Sequence, residues 1–195
     1  MNTAKPNKPN AVILYASPKD NGLTAKLCND FLNQFSFNIK MLRLYDCHVS
    51  PCIDCKACST GSCPFNQKDD MNEILESIYR ADIVLCATPI YFNGVPAPFK
   101  SVMDRCQQLY LNKDNKNRYV LSKRRLGILL TTAGSKDAGV TDAIYRIFKM
   151  FFNCFHIQFL EHISHIDTDH QPEFTINQDQ IESIKHSLNE LIKEV

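Results

Sequence analysis

The chain has 195 residues, 44% of them hydrophobic, which is enough for one well-cored domain of ordinary size. Its 22 Lys and Arg residues nearly balance 21 Asp and Glu residues, and the net charge of +1 argues against a nucleic-acid or anionic-membrane surface, which needs a basic excess. No apolar stretch approaches the roughly 20 residues that span a bilayer.

The N-terminal segment predicts a flexible start and no export signal. Residues 1–10 are polar and interrupted by proline, and the apolar run that follows is too short for a signal peptide. We therefore expect a cytoplasmic protein. In that reducing compartment, nine cysteines favour metal binding or redox chemistry over a disulfide framework.

Buried strands and amphipathic helices alternate along the chain. Residues 11–17 form a continuous apolar run, the pattern of a strand buried on both faces. A helix is predicted over 23–35, because apolar residues recur there every four positions. Residues 39–45 alternate apolar and basic side chains, which indicates a strand near a sheet edge.

A cysteine-rich loop, residues 46–69, precedes the remaining elements. Asp70 stands three residues before Glu73, as in a capping box, and is expected to start a helix. We interpret the basic run 123–125 as a solvated approach to a strand. The elements predicted after this second helix are a strand over 82–88, a helix over 96–110, a strand over 126–134, a helix over 137–152, a strand near 156–164 and a helix over 178–193.

Five strands alternating with five helices predict an α/β fold with one parallel sheet between two helical layers, in a single domain over 1–195. Doubly wound sheets of this kind bind ligands at the carboxyl ends of their strands, near the point where the strand order reverses. We therefore expect the functional site in the loops after the first, third and fourth strands. The cysteine-rich loop opens at the same edge.

The loop after the first strand suits an anion, although it lacks the G-x-G-x-x-G dinucleotide fingerprint. A helix N-terminus near Gly22 supplies free N–H groups and a favourable dipole for a phosphate. Hydroxyl, amide and ammonium groups lie around it in the sequence, from Ser17, Thr24, Asn21 and Lys19. Ordinary helix capping is the alternative interpretation.

The loops after the third and fourth strands suit a flat ring. Tyr91 and Phe92 follow a strand in a proline-stiffened loop, where exposed aromatic side chains can stack on a planar ligand. Asn93 and Gly94 offer hydrogen bonds to the edge of such a ring. The alternative is a turn whose aromatic side chains pack into the core. The small polar residues expected to approach the same ligand from the fourth-strand loop are Thr132, Ala133 and Gly134.

Four thiols fall within one short stretch, at Cys52, Cys55, Cys58 and Cys63, with the spacing C-x2-C-x2-C-x4-C. Structural zinc usually takes two separate knuckles, because four ligands about 2.3 Å from one ion cannot easily come from one tight loop. A four-iron cluster is larger and offers four corners to a single winding loop. The spacing alone leaves cluster, zinc and free thiols open.

Three stretches together resemble the flavodoxin-like NAD(P)H-dependent FMN reductases and, more narrowly, their iron–sulfur flavoprotein branch. They are ASPKDNGLTAKL, CIDCKACSTGSC followed by DDM, and ADIVLCATPIYFNGVPAPFKSVMDR, which lie in order between roughly residues 11 and 135. The resemblance implies a five-stranded flavodoxin-like fold, bound FMN, NAD(P)H as cosubstrate, and a homodimer or homotetramer.

Matched by position, the resemblance implies three groups of cofactor contacts. The first, at the FMN phosphate, is Ser17, Lys19, Asn21 and Thr24. The second, at the flavin ring, is Pro89, Ile90, Tyr91, Phe92, Asn93 and Gly94. The third, around a [4Fe–4S] cluster, is Cys52, Cys55, Cys58 and Cys63.

The predicted function is that of an oxidoreductase that passes electrons from NAD(P)H through FMN to a [4Fe–4S] cluster or to a small-molecule or protein acceptor. No side chain is needed as an acid or base, because the cofactor performs the chemistry. The redox alternatives are a cluster-free NAD(P)H:FMN or quinone reductase and a flavodoxin-type electron carrier, although such carriers tend to be strongly acidic. A zinc-stapled binding module without flavin is the alternative from another class.

The other sulfur-containing and charged residues are expected to have structural roles. Cysteines outside the cysteine-rich loop should pack as small apolar side chains, apart from Cys47, a spare candidate ligand. A metal site among the histidines between 156 and 170 is not favoured. Asp104 and Arg105 are expected to form ion pairs on a helix surface.

Overall fold

The computed structural model describes residues 8–111 and 124–193, so most of the flexible segment expected over 1–10 lies outside the described residues. The strands are β1 (Asn10–Tyr15), β2 (Asn38–Arg43), β3 (Ile83–Pro89), β4 (Leu126–Thr132) and β5 (Gln158–His165). The helices are α1 (Leu23–Leu32), α2 (Met71–Arg80), α3 (Ala97–Arg105), α4 (Gln107–Leu111), α5 (Gly139–Cys154) and α6 (Gln178–Lys193), and a short 3-10 helix covers Ala57–Thr60.

The five strands form one sheet in the order β2-β1-β3-β4-β5, and every neighbouring pair is parallel. This is the flavodoxin-like doubly wound order, so the predicted fold class is confirmed. β2 lies at an edge, as its alternating pattern indicated. None of the described helices combines the length and the apolarity that crossing a bilayer requires.

Two apolar layers, one on each face of the sheet, explain why the central strands are continuous apolar runs. On one face, Val12 and Leu14 of β1 pack in a cluster that includes side chains of α2, α3 and α5. On the other face, Ile13 packs in a cluster that includes Phe31 of α1 and residues of α6. Successive residues of one strand therefore belong to two different cores, which makes the domain three layers thick.

The helix predicted over 96–110 is two helices, α3 and α4, that meet at Cys106. The Gln108 side chain donates to the main-chain oxygen of Arg105 (3.1 Å), and the Leu109 N–H bonds to the Cys106 oxygen three residues back (2.9 Å). The side chain thus competes with the regular ladder, because it uses a carbonyl that a continuous helix would need. The break brings Gln108 against the cysteine-rich loop.

The capping box predicted for α2 is absent from the structure. Asp70 precedes the helix but makes no capping bond to its first turn. Its carboxylate instead accepts the His48 N–H (2.6 Å), while the neighbouring Asp69 accepts the Met71 N–H (3.1 Å). Both carboxylates therefore tie the cysteine-rich loop to the start of α2.

Arg125 corrects the interpretation of the basic run, whose first residue lies outside the described part of the chain. Its side chain is buried, with 2% of the residue exposed. The guanidinium donates to the main-chain oxygens of Ile78 and Phe155 and lies over the Tyr79 ring, 5.5 Å from its centroid. Burial lowers the pKa of Arg125. The cation satisfies carbonyls near the C-terminal ends of α2 and α5, where helix dipoles favour positive charge.

Replacing Gly127 by alanine should destabilise the domain. A Cβ at this buried position of β4 would lie 2.8 Å from the Phe152 ring and 2.9 Å from Ile157, so the core must shift to admit it. Overpacking of this kind costs about 1–3 kcal/mol. The matched control is Gly61→Ala, where no atom lies within 4 Å of the added carbon. Urea unfolding checks this, and equal stabilities of the two variants would contradict it.

Acid should destabilise the protein through His162. Its Nε2 bonds to the Thr131 hydroxyl (2.8 Å), and burial lowers its pKa from 6.5 to about 4. Between pH 6.5 and 4 the unfolded chain takes up a proton that the folded chain does not, so this contribution to stability is present above pH 6.5 and lost as the pH falls, about 3 kcal/mol in total.

The His162→Gln variant should therefore show a flatter loss of unfolding free energy between pH 7 and pH 4.5 than the unmodified protein. His186→Gln is the control, because His186 lies on α6 with 78% of its side chain exposed. Equal pH dependence in the unmodified protein and His162→Gln would show that His162 does not determine this loss.

Candidate functional site

The carboxyl ends of β1, β3 and β4 meet at the point where the strand order reverses. The Ala16 N–H bonds to the Ala87 oxygen (2.8 Å), and the Ile90 N–H bonds to the Thr132 oxygen (2.8 Å). The Thr24 and Thr132 hydroxyls, both buried, are 2.7 Å apart. These bonds hold three loops together, namely the β1–α1 loop (16–22), the aromatic loop (90–96) and the β4–α5 loop (133–138).

The β1–α1 loop folds tightly around its own main chain. The Tyr15 hydroxyl donates to the Lys19 oxygen (2.5 Å), and Ser17 Oγ accepts the Lys19 N–H (3.3 Å). Gly22 precedes α1, and a Cβ there would lie 3.3 Å from the Cβ of Lys19. Close approach of the two main-chain segments therefore favours glycine at this position.

The first turn of α1 is open to an anion. It contains no acidic residue, and Gly22 at its start makes no side-chain cap. Its first N–H groups therefore remain donors, and the helix dipole adds positive potential. The side chains of Lys19 and Asn21 are exposed beside this turn, whereas Ser17 and Thr24 are buried. All five residues predicted in this loop thus lie around one helix end.

The aromatic loop contains a tight turn that is exposed to solvent. Tyr91 and Gly94 exchange two main-chain hydrogen bonds (3.0 and 2.9 Å), and the residues between them are left-handed, with φ of 49° at Phe92 and 59° at Asn93. Two positive φ angles are typical of a type I′ turn, and Phe92 is a bulky residue for that region. Phe92 is fully exposed and Tyr91 is 46% exposed. The alternative of core-packed aromatics is therefore wrong for Phe92.

Thr168 and Asp169, which follow β5, contact the β4–α5 loop. Reasoning from the sequence missed these contacts. The Thr168 N–H bonds to the Ala133 oxygen (3.0 Å), and the Asp169 carboxylate lies against Gly134, 2.5 Å from where a Cβ would stand. The glycine is therefore needed for this close approach. Nothing in the sequence around Asp169 marks it, because its closeness to Gly134 arises only when β5 pairs with β4.

The four thiols of the cysteine-rich loop line one hollow of about 120 Å³, together with Phe65, Arg105 and Leu111 among others. None of the four forms a disulfide; two are exposed and two half-buried. Burial raises the pKa of Cys58, and the neighbouring thiols Cys63, Cys52 and Cys55 raise it further. The thiols thus lie within electrostatic reach of one another. In residues 8–111 and 124–193, however, no three His, Cys, Asp or Glu side chains form a ready metal site.

The main chain between these cysteines turns through left-handed residues. φ is 52° at Asp54 and 60° at Lys56, and the two side chains form an exposed ion pair (2.6 Å). Turns of this kind direct successive N–H groups to one side and are common around phosphates and iron–sulfur centres.

A buried arginine anchors both ends of the loop, which corrects the expectation of a surface ion pair for Arg105. Only 2% of the residue is exposed. One Nη donates to Asp69 (2.6 Å) and to the Ser50 oxygen (3.0 Å), and the other to Asn66 (2.9 Å). Asp104 does pair with Lys100 on the helix surface, as predicted.

Hydrogen bonds hold Asp69 ionised and fix Cys63. Burial alone would raise the pKa of Asp69, but bonds from Arg105, Met71 and Ser50 outweigh it and the pKa is lowered. Gln108 accepts the Cys63 N–H (3.0 Å) and an Asn66 amide hydrogen (2.9 Å). Sequence reasoning missed this network, because charged and amide residues are usually exposed.

The cysteines outside the site mostly pack as small apolar side chains. Cys28, Cys86 and Cys106 are buried, and Cys47 and Cys154 are half-buried.

Comparison with known proteins gives matches over most of the chain. A family model described as NADPH-dependent FMN reductase matches residues 9–171. An iron-sulfur flavoprotein of Methanocaldococcus jannaschii is 30% identical over 139 residues, which cover 69% of this chain and 67% of that protein. Another, from Archaeoglobus fulgidus, is 31% identical over 121 residues, 62% of this chain and 58% of that protein. The chain thus matches between about half and two thirds of the length of such relatives.

Solved structures share the fold at low sequence identity. A crystal structure of an FMN-dependent NADH-azoreductase from Bacillus anthracis in complex with FMN has a TM-score of 0.61 and 17% identity, covering 95% of this chain and 98% of that one. An NAD(P)H:quinone oxidoreductase from Methanothermobacter marburgensis has a TM-score of 0.59 and 17% identity, covering 82% and 83%.

Proposed function

The chain belongs to the family of NADPH-dependent FMN reductases, and from this premise we propose that it passes electrons from NAD(P)H through FMN to a [4Fe–4S] cluster or to a small acceptor. The observation that supports the flavin site is the meeting of three loops where the strand order reverses, with an uncapped helix end on one side and a fully exposed aromatic turn on the other. The cluster is supported by the four thiols that line one hollow.

The residues around the first turn of α1 fit a phosphate. The N–H groups of that turn are free donors, and the exposed ammonium of Lys19 adds a charge beside them. The Ser17 hydroxyl accepts the Lys19 N–H (3.3 Å) and donates to the Lys19 oxygen in a long bond (3.4 Å), which a phosphate oxygen would replace. The residues that would hold the phosphate are Ser17, Lys19, Asn21, Gly22 and Thr24.

The aromatic loop fits the flavin ring. When bound, FMN supplies the reversible uptake of electrons from NAD(P)H. The type I′ turn holds Phe92 away from the core, and the paired main-chain bonds of Tyr91 and Gly94 keep the turn rigid. This pre-organisation leaves little to be ordered on binding. The residues that would contact the ring are Pro89, Ile90, Tyr91, Phe92, Asn93 and Gly94, with Thr132, Ala133 and Gly134 opposite.

The cysteine-rich loop fits a cluster in its donor set and its main-chain turns. Cys52, Cys55, Cys58 and Cys63 would be the ligands, and a cluster bound there would take up and release single electrons. The left-handed residues between the cysteines fit the turns found around such centres. The chain's own part is to bring four thiolates together and to restrict water around the two half-buried thiols.

A cluster-free reductase is the second candidate. The observation in its favour is that the four thiols, although they line one hollow, are not gathered into a ready ligand set in the described part of the chain. Both candidates use the same flavin site and differ only in the acceptor of its electrons.

We also infer that the protein acts as a homodimer or homotetramer with a small-molecule or protein electron acceptor. Apolar side chains lie exposed around both candidate sites, notably Phe92, Tyr91, Ile53 and Leu111. Contact between copies would remove this surface from water.

Anaerobic purification should give one FMN and about four iron atoms per chain, as a cubane cluster requires. Cys52→Ser and Cys58→Ser should lose the iron and retain the FMN, because the flavin site shares no residue with these cysteines. Cys154→Ser is the control, because this half-buried thiol lies at the end of α5, and should retain both. Metal analysis and visible absorption measure this, and flavin without iron in the unmodified protein would favour the cluster-free reductase.

The Lys19→Ala variant should bind FMN about tenfold more weakly or worse, because a hydrogen bond to a charged group contributes about 1.5–3 kcal/mol. Lys149→Ala removes a similarly exposed ammonium from α5 and should bind FMN normally. Quenching of FMN fluorescence gives the two dissociation constants. An unchanged constant for Lys19→Ala would remove Lys19 from the phosphate site.

A further inference from the structure

Arg105 forms part of the wall of the hollow that the four thiols line. Its side chain is only 1% exposed, and its two Nη groups donate to Asp69, the Ser50 oxygen and Asn66. Its Nε, however, has no hydrogen-bond partner within the described residues. A buried N–H without an acceptor is costly, so it is expected to have a partner when the site is complete.

The Cys63 sulfur is the acceptor that the surroundings indicate. Arg105 and Cys63 line the same hollow, and Asn66 bonds both to an Nη of Arg105 (2.9 Å) and to the Gln108 side chain (2.9 Å). The buried network that holds the guanidinium is therefore the network that holds Cys63. Gln108, which also bonds to the Arg105 oxygen, holds the Cys63 N–H at 3.0 Å.

The hydrogen bond between its main-chain N–H and Gln108 distinguishes Cys63 from the first two cysteines of the motif. Cys52 and Cys55 are exposed. Cys63 is half-buried, and its main-chain N–H is bonded to a buried side chain. One thiol of the four is thus held in place by the helical layer before any metal is bound.

The positive charge of Arg105 would also affect the reduction potential of a bound cluster. A cluster with four thiolate ligands is an anion, and reduction by one electron makes it more negative. A buried cation in the wall attracts the reduced form more strongly than the oxidised form, because the reduced form carries more negative charge. Water screens this attraction poorly, since the cation is buried. The Asp69 carboxylate, 2.6 Å from the guanidinium, acts in the opposite direction.

We propose that Arg105 is a positioning residue of the cysteine site, in which its Nε–H donates to the Cys63 sulfur and its charge raises the reduction potential of the bound cluster. The inference rests on the proposed function, since it needs the four thiols to hold a [4Fe–4S] cluster. Hydrogen bonds to ligand sulfurs and the net charge of the surroundings are general determinants of such potentials.

The test compares two substitutions with opposite expected effects in the anaerobically purified, FMN-loaded full chain. Arg105→Met removes the cation and should shift the reduction equilibrium at least tenfold toward the oxidised cluster, which is 59 mV for one electron. Asp69→Asn removes the opposing charge and should shift the potential upward. Arg80→Met makes the same chemical change as Arg105→Met on the exposed surface of α2 and should shift nothing. Redox titration followed by electron paramagnetic resonance reads the cluster apart from the flavin.

Opposite shifts in the two variants support the proposal, because structural damage alone would not change sign with the charge removed. Shifts in the same direction, or none beyond Arg80→Met, overturn it. If Arg105→Met does not fold, Arg105→Lys retains the charge and loses the Nε–H, and a downward shift of less than tenfold is expected; an unchanged potential overturns the proposal. Absence of iron from the unmodified protein overturns the proposed cluster itself, whereas four irons with unchanged variants overturn only the role of Arg105.

Discussion

Parallel pairing of all five strands is the constraint on which the rest of this molecule depends. Each parallel neighbour requires a crossover, so every carboxyl end lies at one edge and the loops that follow are brought together there. Reversal of the strand order between β1 and β3 sends neighbouring crossovers to opposite faces and opens a crevice between their loops. The bond between Thr24 and Thr132, far apart in sequence, is a direct product of that arrangement.

One short helix joins the two candidate redox sites. α3 begins directly after the aromatic loop and ends at Arg105, which holds the cysteine-rich loop from below. At 1.5 Å per residue its nine residues span about 14 Å. Because its buried face packs into the core through Phe99 and Val102, the helix is a rigid spacer between the two loops. Their separation is therefore set by the scaffold and not by the loops themselves.

Two buried arginines show where reasoning from sequence fails. Arg105 and Arg125 both stand beside other charged residues, which is typical of a solvated surface, yet each is 2% exposed. Arg105 is compensated by a carboxylate from a distant loop, and Arg125 by the carbonyls of two helix ends. The acceptors lie 30 to 55 positions away along the chain, so no local pattern could reveal them. A charged side chain can be buried only where other groups compensate its charge, and the fold determines which groups lie close enough to do so.

The sequence by itself determined the type and order of the elements and the number of strands, because the period of apolar residues reports directly which faces must be buried. It also located the β1–α1 loop, the aromatic loop and the four thiols, since glycine, proline, aromatic and cysteine residues leave local marks. Only the tertiary structure decided that Asp69 pairs with Arg105, that Gln108 holds the Cys63 N–H, and that Asp169 lies against Gly134. Those contacts depend on side chains brought together across the sheet and between loops, a relation that no spacing along the chain contains.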